Sequence, residues 1–179
     1  IPTGLTLIVI ISIFGPISGA HFNPIVSLVF WLKRMMSFKD FIAYVVMQIS
    51  GAIFGCVVAN IIFKLPPVTI STLVRHDFSQ FLSEILATFG LILVIFIGSE
   101  VSKQNIPVLV GSYIASAYWF TSSTSFANPA VTVARQFSDT FTGISPSGVP
   151  TFIIAQIFGA ILGFIFIQWL TNTVIESGY

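Results

Sequence analysis

The sequence predicts an all-α integral membrane protein made of two inverted repeats, with five spans and two re-entrant half-helices. Three observations predict it. The chain is 55% hydrophobic and only 7% charged, with a mean hydropathy of +1.00, whereas a soluble domain carries about 25% charged residues. The dipeptide Asn-Pro occurs at Asn23-Pro24 and again, 105 residues later, at Asn128-Pro129, each time after a long apolar run. Downstream of each copy, the stretches 48–55 and 156–163 agree at six of eight positions.

The elements follow in order. A span needs about 20 apolar residues. Residues 1–15 lack an initiator Met and a basic leader, and so read as a span already under way. Residues 24–31 are apolar, but at about 1.5 Å per residue they reach roughly 12 Å, less than half the oily core. Such a segment enters and stops, and it survives only when buried in protein or lining a wet cavity. Spans are expected at 41–63, 81–98, 106–122 and 152–170, with the second half-helix at 129–137. The organisation is one domain over 1–179: a first repeat at 1–64, a connecting loop at 65–79 and a second repeat at 80–172. The unit is span, half-helix, span. Span 81–98 has no partner in the first repeat, so its twin is expected before Ile1. Counting crossings inverts the second unit relative to the first, which puts the site at the midplane between broken helices. Lys33, Arg34, Lys39 and Lys103 fall on one side, and Lys64, Arg75 and Arg135 on the other. The first set is denser in short loops, so that side is expected to be cytoplasmic.

Function classes narrow quickly. A net charge of +1 provides no field for nucleic acid. Cys56 is the only cysteine, so there is neither an internal disulfide nor a cysteine metal cluster. No nucleophile, base and orienter come together, and no phosphate loop or metal-ligand spacing occurs, so no enzyme, cofactor or metal is expected. The Asn-Pro pairs carry the chemistry. The Asn oxygen can cap a helix while Pro occupies its first position. Two helix starts meeting at the midplane each bring roughly half a positive charge. The free amide N–H groups can serve a passing neutral solute, whereas a cation meets two positive ends. Glu84 is the only acid well inside a span, a functional candidate by default. Gly51 with Gly55, and Gly159 with Gly163, have small-xxx-small spacing and are expected to form the crossing of the two halves, the alternative being contact between subunits.

The stretches Ser18-Gly19-Ala20-His21-Phe22-Asn23-Pro24 and Ser125-Phe126-Ala127-Asn128-Pro129-Ala130, with Glu84 and Thr88-Phe89, resemble the aquaporin and aquaglyceroporin family, the major intrinsic proteins. The resemblance covers nearly the whole chain, starting at the family's second helix. It implies the hourglass bundle of six helices and two half-helices, a homotetramer with one pore per subunit, and a multi-pass place in the plasma or inner membrane. It also implies that Glu84 holds the re-entrant loop and that His21 contributes a backbone carbonyl to the pore. Carried over by spacing, the family's filter positions fall on Thr3, Ser116, Ser125 and Val131.

Two departures bear on selectivity. Ile25 stands where Ala is usual, and Val131 stands where most members have arginine after Asn-Pro-Ala130. The nearest arginine is Arg135, one turn on, which either guards the pore from further out or pairs with Asp139 at i+4. The run 132–141 looks like a bacterial subgroup linked to arsenic. A wide, uncharged ring implies a passive channel for small neutral solutes: glycerol, urea, metalloid hydroxides such as arsenous acid, and water. Competing readings are a water-selective channel, a non-conducting remnant and a secondary transporter, for which Glu84 is the lone coupling group.

Overall fold

The computed structural model describes residues 1–176, with side chains through residue 173. Its regular elements among the described residues are all helices: α1 (Pro2–Ser18), α2 (Pro24–Leu32), α3 (Phe38–Ile62), α4 (Phe78–Val101), a 3-10 turn (Lys103–Asn105), α5 (Ile106–Phe120), α6 (Pro129–Arg135) and α7 (Val149–Glu176). Three of these, α3, α4 and α7, are long and apolar enough to cross a membrane. At 17 and 15 residues, α1 and α5 are shorter. The left-handed turn at Gly19 ends α1. Pro107 opens α5, where its missing N–H leaves no partner unmet.

Both half-helices start at the expected prolines. Asn23 caps α2, its side-chain oxygen accepting from Ile25 N at 3.0 Å. Asn128 caps α6 in the same way, accepting from Ala130 N at 3.0 Å. The second half-helix stops at Arg135, short of the expected Phe137. The two carbonyls just past its end go to the connecting segment: Ser71 N donates to Gln136 O and Thr69 N to Phe137 O. On the spans, Ser37 caps α3 and Asp77 caps α4.

The loops before the two half-helices share one backbone path. Gly19, Ala20 and Phe22 have φ of 74°, 48° and 46°, and the residues 105 positions on, Thr124, Ser125 and Ala127, have 60°, 47° and 45°. Left-handed backbone at non-glycine residues costs of order 1–3 kcal/mol each and persists only where the surroundings enforce it. The repeat seen in the sequence is therefore a repeat of strained geometry.

Packing joins α1 to α5, α4 to α7, α3 to α6, and α2 to both α3 and α7. Ile25, Val26 and Val29 of α2 pack with Ile92 and Phe96 of α4 and Ala160 and Ile167 of α7. Ala87 and Leu91 of α4 pack with Val110 and Ile114 of α5 and with Ala127 of the second loop. Here close fit, rather than escape from water, holds helices together.

The glycine expectation is corrected. Gly159 and Gly163 lie against Ile85, Thr88, Phe89 and Ile92 of α4, inside one repeat, and a Cβ at Gly51 or Gly55 would meet nothing within 4 Å among the described residues. The halves cross at Gly4 of α1 and Gly111 of α5, where a methyl on either would collide with the other's carbonyl oxygen. Small-xxx-small spacing signals close approach without naming the partner, and at the true crossing Gly4 of α1 meets both Gly111 and Ala115 of α5, which are four residues apart.

Candidate functional site

The two Asn-Pro loops meet reciprocally. Asn23 Nδ2 donates to Ala127 O at 2.7 Å, and Asn128 Nδ2 donates to Phe22 O at 2.9 Å. Each amide thus uses its oxygen to cap its own helix and one N–H to hold the opposite loop. An amide NH₂ has two donors, so one N–H on each Asn remains for a third party. The starts of α2 and α6 are brought together by these bonds.

Both asparagines lie on one cavity of about 700 Å³. Its wall runs from Ser99 and Lys103, where α4 hands over to α5, to Tyr118 and Arg135 at the far end of α5 and α6. The rise of α5 from Ile106 to Tyr118 alone separates those ends by roughly 18 Å. Of the expected site residues, Thr3, His21, Asn23, Ser125, Asn128, Val131 and Arg135 line this cavity. Pro24, Ile25, Pro129 and Ala130 sit buried behind the wall. Ile25 is 2% exposed and packs into the α2, α4 and α7 cluster, so its bulk is spent on the core rather than on the lumen.

Ser116 is elsewhere. It is exposed, its hydroxyl donates to its own helix at Ser112 O, and it is off the cavity wall. The face of α5 toward the cavity carries Val110, Ile114 and Tyr118, at successive spacings of four. Tyr118 is thus a wall residue that spacing from the asparagine missed, although the apolar period along α5 carried the signal.

Glu84 stands behind the second loop, fully buried. Its Oε1 accepts from Ser123 Oγ at 2.6 Å and Phe126 N at 2.8 Å, and its Oε2 from Ala127 N at 2.8 Å and Gln156 Nε2 at 2.7 Å. Four donors saturate the carboxylate, and two of them are amides within the left-handed stretch of the loop, Phe126 N and Ala127 N. Gln156 extends the network. Its Nε2 also donates to Thr132 Oγ1 at 2.9 Å, which in turn donates to Asn128 O at 2.9 Å. The first half repeats part of this. Gln48 Nε2 donates to Ser27 Oγ at 3.0 Å, Ser27 sits one turn after Asn23, and its hydroxyl is also within 3.0 Å of His21 Nδ1.

The arginine expectation is corrected in part. Asp139 does not pair with Arg135; its carboxylate accepts from Thr72 N at 2.9 Å and Thr72 Oγ1 at 3.1 Å. The i+4 geometry never forms, because α6 ends at Arg135. The Arg135 guanidinium instead lies over the Phe126 ring at 4.2 Å, with Nη2 3.4 Å from Tyr118 Oη. Arg75 reaches in from the connecting segment and approaches the same ring at 5.5 Å. Its Nε, Nη1 and Nη2 donate to the carbonyls of Gly143, Ser123 and Phe141. Burial pushes the Arg75 guanidinium below its ordinary value, and the nearby Arg135 charge adds to that.

Comparison with known proteins agrees with this geometry. Residues 1–125 match the family model for the major intrinsic protein. The chain is 49% identical over 170 residues to the aquaglyceroporin AqpS of Rhizobium meliloti, covering 95% of this chain and 73% of that protein. It is 28% identical to the glycerol uptake facilitator protein of Bacillus subtilis, over 83% of this chain and 61% of that one. It is 27% identical to aquaporin NIP1-1 of Arabidopsis thaliana, over 96% of this chain and 60% of that one. The chain therefore belongs to the major intrinsic protein family, whose aquaporins are membrane channels and not enzymes.

Proposed function

We propose that the chain is a passive channel for small neutral solutes, namely glycerol, urea, metalloid hydroxides such as arsenous acid, and water. The observation that carries this reading is the reciprocal pair of asparagine bonds on the wall of one cavity. Each Asn keeps an N–H for a solute oxygen, so a solute hydroxyl or water can exchange its hydrogen bonds along the wall without losing them. The facing helix starts put partial positive charge at the same point, which disfavours a cation stripped of its water.

The outer wall supports a solute larger than water. Val131 offers no charge at the position where most family members carry arginine, and Thr3 and Ser125 are small. The name of the 49% identical relative, an aquaglyceroporin, points the same way. The saturated Glu84 favours a channel over a coupled carrier, since its acceptor sites are engaged by Ser123, two loop amides and Gln156. We place the protein in the inner membrane as a homotetramer with one pore per chain, and treat 1–64 and 80–172 as the two repeats of one channel domain joined by 65–79.

The test is solute flux into proteoliposomes, followed by stopped-flow light scattering. Glycerol and arsenite uptake along their gradients, with no accumulation against them, is expected. Water flux without glycerol or arsenite flux would contradict the reading.

A further inference from the structure

We infer that Tyr118 and Arg135 form the solute-reading pair of this pore, selecting neutral solutes with two hydroxyls side by side, on one atom or on adjacent atoms. The inference rests on the channel reading above. Three helices bring the parts together: Thr3 on α1, Tyr118 on α5 and Arg135 at the end of α6. Tyr118 Oη sits between them, 3.4 Å from Arg135 Nη2 and 3.5 Å from Thr3 Oγ1, so it receives from one and donates to the other. All three residues line the cavity.

Both contacts lie at the outer edge of hydrogen bonding, where the usual separations are about 2.9 Å from nitrogen and 2.7 Å from oxygen. They close the circuit loosely. An incoming hydroxyl at full hydrogen-bond length binds better than the contact it displaces. The guanidinium is also rich in unspent donors. It has five N–H groups, and among the described residues only the one to Tyr118 has a hydrogen-bond acceptor. Its neighbour Arg75 has its donors on three backbone carbonyls, and Asp139 is taken by Thr72. The Phe126 ring holds the Arg135 guanidinium from one face, 4.2 Å from the ring centroid.

A planar fork pairs with two acceptors side by side. Two hydroxyls on one atom or on neighbouring atoms present such a pair of oxygens, and the Tyr118 hydroxyl supplies the matching donor or acceptor. Urea offers one carbonyl oxygen and makes less of the site. Water fits the site without needing its geometry. Two guanidinium groups about Phe126 repel cations at the same place. The pair thus performs, one turn further along α6, a recognition that Val131 cannot.

The experiment compares glycerol, urea and water flux in proteoliposomes of the wild type, Tyr118→Phe and Arg135→Gln. Tyr118→Phe keeps the ring and removes only the hydroxyl. In both variants the glycerol-to-water permeability ratio is expected to fall about threefold to tenfold, the scale of one or two lost hydrogen bonds, with the urea-to-water ratio changing less. Unchanged ratios in both folded variants overturn the inference while leaving the channel reading intact. A rise in glycerol flux in both marks the pair as a steric plug and overturns it too. A wild type that conducts neither glycerol nor water overturns the channel reading and the pair's role with it.

Discussion

Gln156 and Glu84 are joined at 2.7 Å in a fully buried contact between α7 and α4, and the same Gln156 nitrogen reaches Thr132 on α6. Glu84 only accepts, and the Thr132 hydroxyl is already donating to Asn128 O, so both must be served by the amide nitrogen. That requirement fixes the orientation of the Gln156 amide. One side chain therefore ties the carboxylate that holds the second loop to the half-helix that the loop leads into. Gln156→Leu removes both donors and leaves two buried acceptors short. It is expected to destabilise the protein by roughly 2 kcal/mol and to lower solute flux. Thermal unfolding in detergent, with flux measured on the same preparation, checks it.

Glu84→Gln is expected to be worse. Any orientation of the new amide turns an NH₂ group toward at least one of Ser123 Oγ, Phe126 N, Ala127 N and Gln156 Nε2. Each buried donor that loses its acceptor in this way costs about 1–3 kcal/mol, and the NH₂ group faces up to two of them. The expected result is a large drop in melting temperature and loss of flux. A variant of wild-type stability would show that the carboxylate does not hold the loop.

Glycine positions separate true crossings from bare faces. Gly111→Ala puts a methyl into the carbonyl of Gly4, with Ile8 also in the way. It is expected to lower the melting temperature, because overpacking a close contact costs about 1–3 kcal/mol. Gly55→Ala meets nothing within 4 Å among the described residues and is expected to be neutral. Paired melts of the two variants check this. Loss of stability in Gly55→Ala would show that this face of α3 is covered in the native membrane.

Asp77 gives a pH dependence outside the membrane. The Ser79 hydroxyl first, then the Gln80 N–H, holds its carboxyl below the ordinary value of 3.8. A carboxylate with a lowered folded value stabilises the fold above the ordinary value, and the benefit fades as pH falls through the folded one. The α4 cap is expected to weaken on acidification below about pH 4. Asp77→Asn, which caps without a titrating group, is expected to flatten that part of the stability profile between pH 5 and pH 2, as read by thermal melts. An unchanged profile would assign the acid response elsewhere.

Features set by neighbouring residues were legible in the sequence. Asn23-Pro24 and Asn128-Pro129 read as helix starts because capping is local, and the repeat of 105 residues reappears as matched left-handed loops. Features set by a partner helix were not. Ser116 and Tyr118 lie two residues apart, and the packing of α5 on α1 decides which faces the cavity. The glycine spacing at Gly51 and Gly55 looks the same as at Gly159 and Gly163, yet among the described residues only the second pair has a helix against it. Helical spacing puts Arg135 near Asp139, but α6 ends at Arg135 and Asp139 turns to Thr72 of the connecting segment. Gln156 was visible as a repeat match, but its two acceptors come from elements 72 and 24 residues away.

The central claim is that solute passes along the wall shared by Asn23, Asn128 and Val131. Glycerol flux through Val131→Trp in proteoliposomes tests it most directly, with helix content and melting temperature confirming that the variant is folded. A bulky ring one step past Asn-Pro-Ala is expected to abolish glycerol flux. A folded Val131→Trp that conducts glycerol at the wild-type rate would contradict the account.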